Sequence, residues 1–217
     1  MDIGSASQAT VAEDVLLDAR LALFHNRQGW LAVADLHFGY ELSQRAAGRL
    51  MPMWGMKFVE ERLIELLLDY RPRQLVILGD IVHDRASVDE ARMLLDRLRG
   101  ACEVIALAGN HDRRLAAVLG THDSWQSDGF HFHHGHCAAA ETAGRIQIIG
   151  HHHPSGTVRD GAGLRLKLPA FVQQDRCWIM PAFSPWAAGA PWRADAESQI
   201  WLCSPTRILR LPERAAA

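Results

Sequence analysis

The 217-residue sequence lacks most of the features that would place it outside the ordinary globular class. Its only four cysteines, Cys102, Cys137, Cys177 and Cys203, are scattered and form no C-x-x-C pair. Neither a disulfide scaffold nor a thiolate metal knuckle is therefore indicated, and reduced thiols in a cytoplasmic protein are expected. No apolar run reaches the roughly 18 residues of a helical membrane span, so none is expected. The opening MDIGSASQAT lacks the charged and apolar regions of a secretory signal and reads as a frayed tail. Basic charge is not in excess: 23 Lys and Arg stand against 25 Asp and Glu, a net charge of -2 with His neutral. That argues against a globally basic nucleic-acid binder, so an anionic substrate would have to be held locally. No internal repeat or low-complexity linker interrupts the chain. Its length suits one domain with a sizeable core. The expected division is a disordered or frayed tail over residues 1–12, a single domain over 13–211 and a C-terminal tail over 212–217.

What is present in excess is histidine. There are 12, and they cluster: His131, His133, His134 and His136, then His151, His152 and His153 in a row. Seven histidines within 23 residues would be a costly way to build a core, which points to metal binding over a merely solvated surface.

Hydrophobic patterning gives βα units first and mostly strands afterwards. Val15 to Phe24 alternates toward a strand, and Trp30 to Ala34 and Leu75 to Leu78 are short apolar runs expected as buried strands. Lys57 to Tyr70 has helical spacing stopped by Pro72. Ser87 with Glu90 three residues on reads as a capping box for a helix through Leu98. Cys102 to Leu107 is a third buried strand, followed by a short helix from Arg113 to Leu119. The second half adds Phe130 to His133, Arg145 to Ile149, Leu164 to Leu168, Cys177 to Met180, Gln199 to Cys203 and Ile208 to Leu211 as strands. The order predicts one α/β domain with two stacked sheets and helices outside.

The placement of polar residues carries the chemistry. Three buried strands run directly into Asp35-Leu36-His37, into Gly79-Asp80 and into Gly109-Asn110-His111-Asp112. Ligand sites in α/β sheets form at the carboxyl ends of strands. Alternation puts Asp35 and His37 on one face of an extended segment, and likewise His151 and His153 in Gly150-His151-His152-His153-Pro154. Asp80 has two oxygens and can bridge two cations, and Asn110 offers a neutral carbonyl oxygen. With His134, or His136 in its place, these make seven candidate ligands, mixed oxygen and nitrogen without thiolate. Such a set suits two divalent ions, Mn²⁺ or Fe²⁺ with Zn²⁺ as a further candidate. Two ions roughly 3.5–4 Å apart activate a water and clamp a phosphoryl group.

Together with Gly79-Asp80-Ile81-Val82-His83-Asp84 and His134-Gly135-His136, these stretches resemble the calcineurin-like metallophosphoesterase superfamily. The resemblance runs from the first buried strand to residue 154. It implies a four-layer αββα sandwich of two mixed β-sheets flanked by helices. It also implies one metal held by Asp35, His37, Asp80 and His153, and a second by Asp80, Asn110, His134 and His151. His111 then lies beside the ions, contacting the phosphate or protonating the leaving oxygen, which is the part ions do not supply. Asp112 is a candidate for orienting its ring. Many members read G-D-x-x-D where this chain has His83 followed by Asp84. His83 is therefore a second candidate for gripping substrate, or a bond to a ligand. The protein Ser/Thr phosphatase pattern G-D-x-V-D-R-G with G-N-H-E is absent.

A narrower resemblance, carried by Ala34-Asp35-Leu36-His37-Phe38-Gly39-Tyr40, Arg45, Gly48, Pro52, Pro181-Ala182-Phe183 and Gly189, is to the small metallophosphoesterases associated with DNA ligase and helicase genes in bacterial repair clusters. It implies a manganese-dependent endonuclease or phosphodiesterase acting on single-stranded DNA, with a small nucleotide or other phosphate ester as the alternative substrate. Arg45, Arg49, Arg85, Arg113 and Arg114 follow the three motifs, either as a rim for the phosphate backbone or as ordinary surface residues. The aromatic loop Met180 to Trp186, with Pro191-Trp192, either stacks bases or packs on the second sheet.

Overall fold

The computed structural model describes residues 6–113, 115–137, 144–159, 162–193 and 197–212. The first sheet has six strands in sequence order: β1 (Gln8–Ala12), β2 (Val15–Asp18), β3 (Ala22–His25), β4 (Trp30–Val33), β5 (Gln74–Ile77) and β6 (Glu103–Ala106). The first four pair antiparallel, while β4, β5 and β6 run parallel. Two expectations change here. The segment expected as a frayed tail supplies edge strand β1 from residue 8, because its backbone pairs with β2. The single strand expected from Val15 to Phe24 is a hairpin, turning at residues 19–21, where Leu21 adopts a positive φ.

Between the parallel strands lie helices α1 (Tyr40–Ala46), α2 (Gly55–Tyr70) and α3 (Val88–Arg99), with the short α4 (Ala116–Leu119) after β6. Helix α2 buries Val59, Leu63, Leu66 and Leu67, and α3 buries Ala91, Leu94, Leu95 and Leu98. The spacings, i, i+4, i+7, i+8 in α2 and i, i+3, i+4, i+7 in α3, are the stripes of helices lying on a sheet. Ser87 precedes α3 as expected but makes no cap; its hydroxyl donates instead to the carbonyl of Phe38, at 2.7 Å. A tertiary acceptor near the site has taken the group that local pattern assigned to the helix end.

The second sheet has nine strands: β7 (Ser124–Ser127), β8 (Phe130–His133), β9 (Ile146–Ile149), β10 (Pro154–Arg159), β11 (Arg165–Gln174), β12 (Cys177–Ile179), β13 (Ala190–Pro191), β14 (Gln199–Cys203) and β15 (Ile208–Arg210). It too is mixed, with β8, β9 and β12 parallel to one another. The period of two divides its residues cleanly. Phe132, Ile148, Phe171 and Trp178 join one large core with α2, α3, Leu119 of α4 and the first sheet. Their neighbours Ile149, Ala170, Val172 and Ile179 form a smaller cluster on the other face, covered in part by Val158, Trp192, Leu209 and Leu211. The result is an α/β sandwich of two mixed sheets. Among the described residues, no helix is long and apolar enough to cross a membrane.

Candidate metal centre

Parallel strands all point their carboxyl ends the same way, and here five of them converge. Asp35 follows β4, Asp80 follows β5, Asn110 follows β6, His134 follows β8 and His151 follows β9. The loop after β12 closes over them from the second sheet: the Phe183 amide donates to the Ala34 carbonyl at 2.7 Å and the Ser184 amide to the Asp35 carbonyl at 3.2 Å.

Five of the seven predicted ligands form two donor groups meeting at one carboxylate, a third group joins His37 to His83 and His111, and Asp35 and Asn110 lie alongside. Donor atoms of His37, Asp80 and His153 lie within 4.8 Å of one another, and so do those of Asp80, His134 and His151. Asp35, fully buried, sets an oxygen 3.6 Å from His153 Nε2 and 3.6 Å from His134 Nδ1. Both its oxygens accept from the His151 amide. Asn110 Oδ1 lies 3.2 Å from His134 Nε2. Between the two histidine candidates after β8, His134 Nε2 is 3.4 Å from Asp80 Oδ2, whereas the His136 ring stands alongside with its centroid 5.2 Å from that of His134. His131 and His133 project away from the site; the ring of His133 instead bonds Gln147, at 3.0 Å. His152 faces Trp192.

The donor set fits cations. His37 Nε2 and His153 Nε2 stand 3.4 Å apart, and His37 Nδ1 is buried with no hydrogen-bond partner among the described residues. Burial pushes the His37 ring down to about 3, against the pull of Asp80. A neutral ring cannot balance the carboxylates it faces. Burial alone would raise the Asp80 carboxyl, but the His134 ring, the His111 amide and the His37 ring outweigh it and hold Asp80 well below the usual carboxylate range. Burial would push the His134 ring down, but its bond to Asp80 and the charge of Asp35 raise it, so anionic oxygens here draw positive charge to themselves, and the His37 lone pairs beside them fit a cation.

The backbone is bent to make this arrangement. Among the described residues nine non-glycine residues have positive φ, and five are predicted ligands: Asp35 (54°), His37 (40°), Asp80 (45°), His151 (66°) and His153 (45°). Left-handed backbone costs non-glycine residues of order 1 kcal/mol or more each and persists where surrounding structure imposes it, typically at functional sites. Gly109 must be glycine for a related reason, since a Cβ there would stand 2.1 Å from Asp80 Oδ1.

Around the predicted ligands, His111 and His83 bring donor atoms within 4.8 Å of one another and of His37, so His111 stands in a donor group as well as beside the other two, and Asp112 is turned away from its ring. The His111 ring donates from Nδ1 to the His83 carbonyl at 2.7 Å, which leaves Nε2 for the site. Asp112 makes no contact with that ring. It is fully buried, and its carboxylate accepts from the amides of Gly109 (2.9 Å), Ile81 (3.1 Å) and Val82 (3.2 Å). The expected catalytic orienter is instead a clamp joining the loops after β5 and β6. His83 stacks on His111, centroids 5.0 Å apart, and meets the edge of Tyr40 at 4.8 Å. Asp84 accepts from the Ser43 hydroxyl and the Ala86 amide, which keeps it out of the donor groups. Arg45, Arg85 and Arg113 are all exposed; Arg113 contacts Cys137 Sγ at 3.3 Å, and none of the three forms an ion pair among the described residues. Arg114 lies outside the described residues. In the aromatic loop, Met180 to Ser184 is buried, as packing on the second sheet requires, and Trp186 reaches the surface beside Trp54. Trp54 went unnoticed in the sequence, although a tryptophan between Pro52 and Gly55 in a polar loop is a readable signal.

The sequence profile of the calcineurin-like phosphoesterases matches residues 31–160, more than half of the chain. No curated protein sequence matches it significantly. Among solved structures, the chain is similar to Pseudomonas putida nuclease MPE, with 25% identity and a TM-score of 0.69 over 91% of this chain and 94% of that one. YfcE, a phosphoesterase from E. coli, is 15% identical with a TM-score of 0.47, covering 85% of this chain and 99% of that one. The profile match spans the five strand ends from which the donor groups are built, and the chain belongs to the calcineurin-like phosphoesterase family, as a metal-dependent phosphoesterase.

Proposed function

We propose that the protein is a manganese-dependent phosphodiesterase that cleaves single-stranded DNA internally. In this reading Asp35, His37, Asp80 and His153 hold one ion, and Asp80, Asn110, His134 and His151 hold the other. The observation that carries it is the meeting of two donor groups at Asp80. When bound, such a pair supplies an activated water and neutralises charge on the phosphoryl group. The remaining work falls to the chain. The Leu78 carbonyl accepts a hydrogen bond from His134 Nδ1–H at 2.8 Å, which turns Nε2 inward. The His111 amide, at 3.0 Å, orients Asp80 Oδ1. Because the His83 carbonyl can only accept, it fixes the His111 proton on Nδ1 and leaves Nε2 to carry the second proton to the leaving oxygen. Arg45 and Arg85, exposed at the surface, can meet the phosphate backbone, as can Arg113 if it leaves its contact with Cys137. The nucleic-acid substrate is supported by the similarity to a structure described as a nuclease. Manganese is supported by the mixed nitrogen and oxygen donors, with Fe²⁺ and Zn²⁺ as competitors. A cytoplasmic DNA-repair role in association with a DNA ligase or helicase completes the reading.

The test is to incubate protein loaded with Mn²⁺, Fe²⁺ or Zn²⁺ with labelled single-stranded DNA, duplex DNA and bis-nitrophenyl phosphate. Cleavage of the single strand with Mn²⁺ is expected. Hydrolysis of the small ester but of no DNA would move the substrate to a small nucleotide. For the acid, His111→Ala is expected to slow an alkyl phosphodiester by roughly 10²–10⁴-fold, while a nitrophenyl ester, whose leaving group needs no proton, loses far less. Equal losses on the two would remove His111 from that role.

A further inference from the structure

A track of aromatic rings begins at the metal centre and leads away from it, half-buried at His83, Tyr40 and Trp186 and exposed at Trp54 and Phe58. The His83 ring, stacked on His111, meets Tyr40, whose centroid lies 6.4 Å from that of Trp186 at an interplanar angle of 30°. Trp186 packs on Trp54 at 4.5 Å, and Trp54 meets Phe58 edge-on at 5.7 Å. Trp54 is 45% exposed and Phe58 40%. A large aromatic face left in water is unusual and marks an interaction surface when it is contiguous.

This surface is built. The Trp186 indole N–H donates to Glu41 Oε2 at 3.0 Å, and the other oxygen of Glu41 accepts the Met56 amide at 2.8 Å. Glu41 is itself only 1% exposed. A buried carboxylate therefore ties the indole to the first turn of α2. Gly55 makes room for it, because a Cβ there would come within 2.1 Å of the indole nitrogen. Fixed rings lose little entropy when a flat partner stacks on them.

We propose that Tyr40, Trp186 and Trp54 form a stacking platform for unpaired bases flanking the scissile phosphate, and that this platform makes the enzyme prefer single strands. The proposal rests on the nuclease reading above. A nucleic-acid strand is favoured over a protein partner because the track starts at the rings beside the metal centre, where a bound phosphodiester would continue, and because Arg45 and Arg49, exposed and in the segment between Tyr40 and Trp54, can meet its phosphates. Stacking needs bases that are not already paired, and every base has a face to offer, so the preference is for strandedness with little regard to sequence.

The test compares Mn²⁺-loaded wild type, Trp54→Ala and Trp54→Phe by kcat/KM on a single-stranded oligonucleotide, expressed relative to kcat/KM on bis-nitrophenyl phosphate, which is too small to reach Trp54. Loss of one stacked base is expected to lower that ratio roughly tenfold or more for Trp54→Ala, with Trp54→Phe retaining most of it. An oligonucleotide carrying abasic steps beside the cleavage site should abolish the difference between wild type and Trp54→Ala. If the wild type cuts DNA and Trp54→Ala keeps the wild-type ratio, or if its loss persists on the abasic strand, the platform is refuted while the nuclease reading stands. If the wild type hydrolyses the small ester and cuts no DNA of any length, the nuclease reading fails and the platform with it.

Discussion

Asp80→Asn is expected to reduce turnover of bis-nitrophenyl phosphate by about 10³-fold or more. Metal-centred activation of a phosphoester is worth several kcal/mol, and each 1.36 kcal/mol is a factor of ten. The asparagine isolates the charge. It has the same shape, it can still accept the His111 amide, and it tolerates the positive φ of 45° at this position. What disappears is the anionic oxygen shared by the His37–His153 and His134–His151 groups. Metal content measured on the purified variant should fall with the activity, and circular dichroism should show the fold retained. Wild-type turnover would refute the shared-carboxylate reading. Lost turnover with full metal content would give Asp80 a role other than holding ions.

Asp112→Ala is expected to destabilise the protein by about 3–5 kcal/mol, because three buried amides, those of Gly109, Ile81 and Val82, lose their acceptor together. For a domain of this size each kcal/mol corresponds to roughly 2–4 °C in Tm, so a fall on the order of 10 °C should appear in thermal unfolding. Burial already pushes the Asp112 carboxyl up, so part of the loss is offset by removing a poorly solvated charge. Asp112→Asn should fall between, since its amide nitrogen would face at least one N–H where the carboxylate presents only acceptors. A Tm within about 2 °C of wild type, a shift worth no more than roughly 1 kcal/mol, would sink the clamp. Activity lost at an unchanged Tm would return Asp112 to the catalytic group from which the hydrogen bonds remove it.

The two residues show why some of the site was legible in the sequence and some was not. Asp80 was readable because its position is set by neighbours in the chain: a buried apolar strand, a glycine, then a carboxylate that has nowhere to go but the strand end. The same logic points to Asp35, His37, Asn110, His151 and His153, while the choice of His134 over His136 rests on the family resemblance. Local pattern also explains the two sheets and α2, since periods of 2 and 3.6 are local properties. Asp112, in contrast, lies beside His111 in sequence, and adjacency suggested partnership. The chain turns between them, so the carboxylate faces inward to amides of another loop while the ring faces the site. Ser87 is the same case, a plausible cap claimed by the carbonyl of Phe38.

The sequence by itself determined the family, the two-sheet architecture and the residues that can hold ions, because each is written in short-range pattern and in residue chemistry that no fold can alter. Tertiary structure alone decided how those residues are used. It placed five predicted ligands in left-handed backbone, joined two donor groups at Asp80, fixed the His111 proton through the carbonyl of His83 and set Trp54 against Trp186 across 132 positions of chain, from residue 54 to residue 186. Such relations depend on which strand ends and loops meet in space, and that is settled by packing the whole core rather than by any segment read alone.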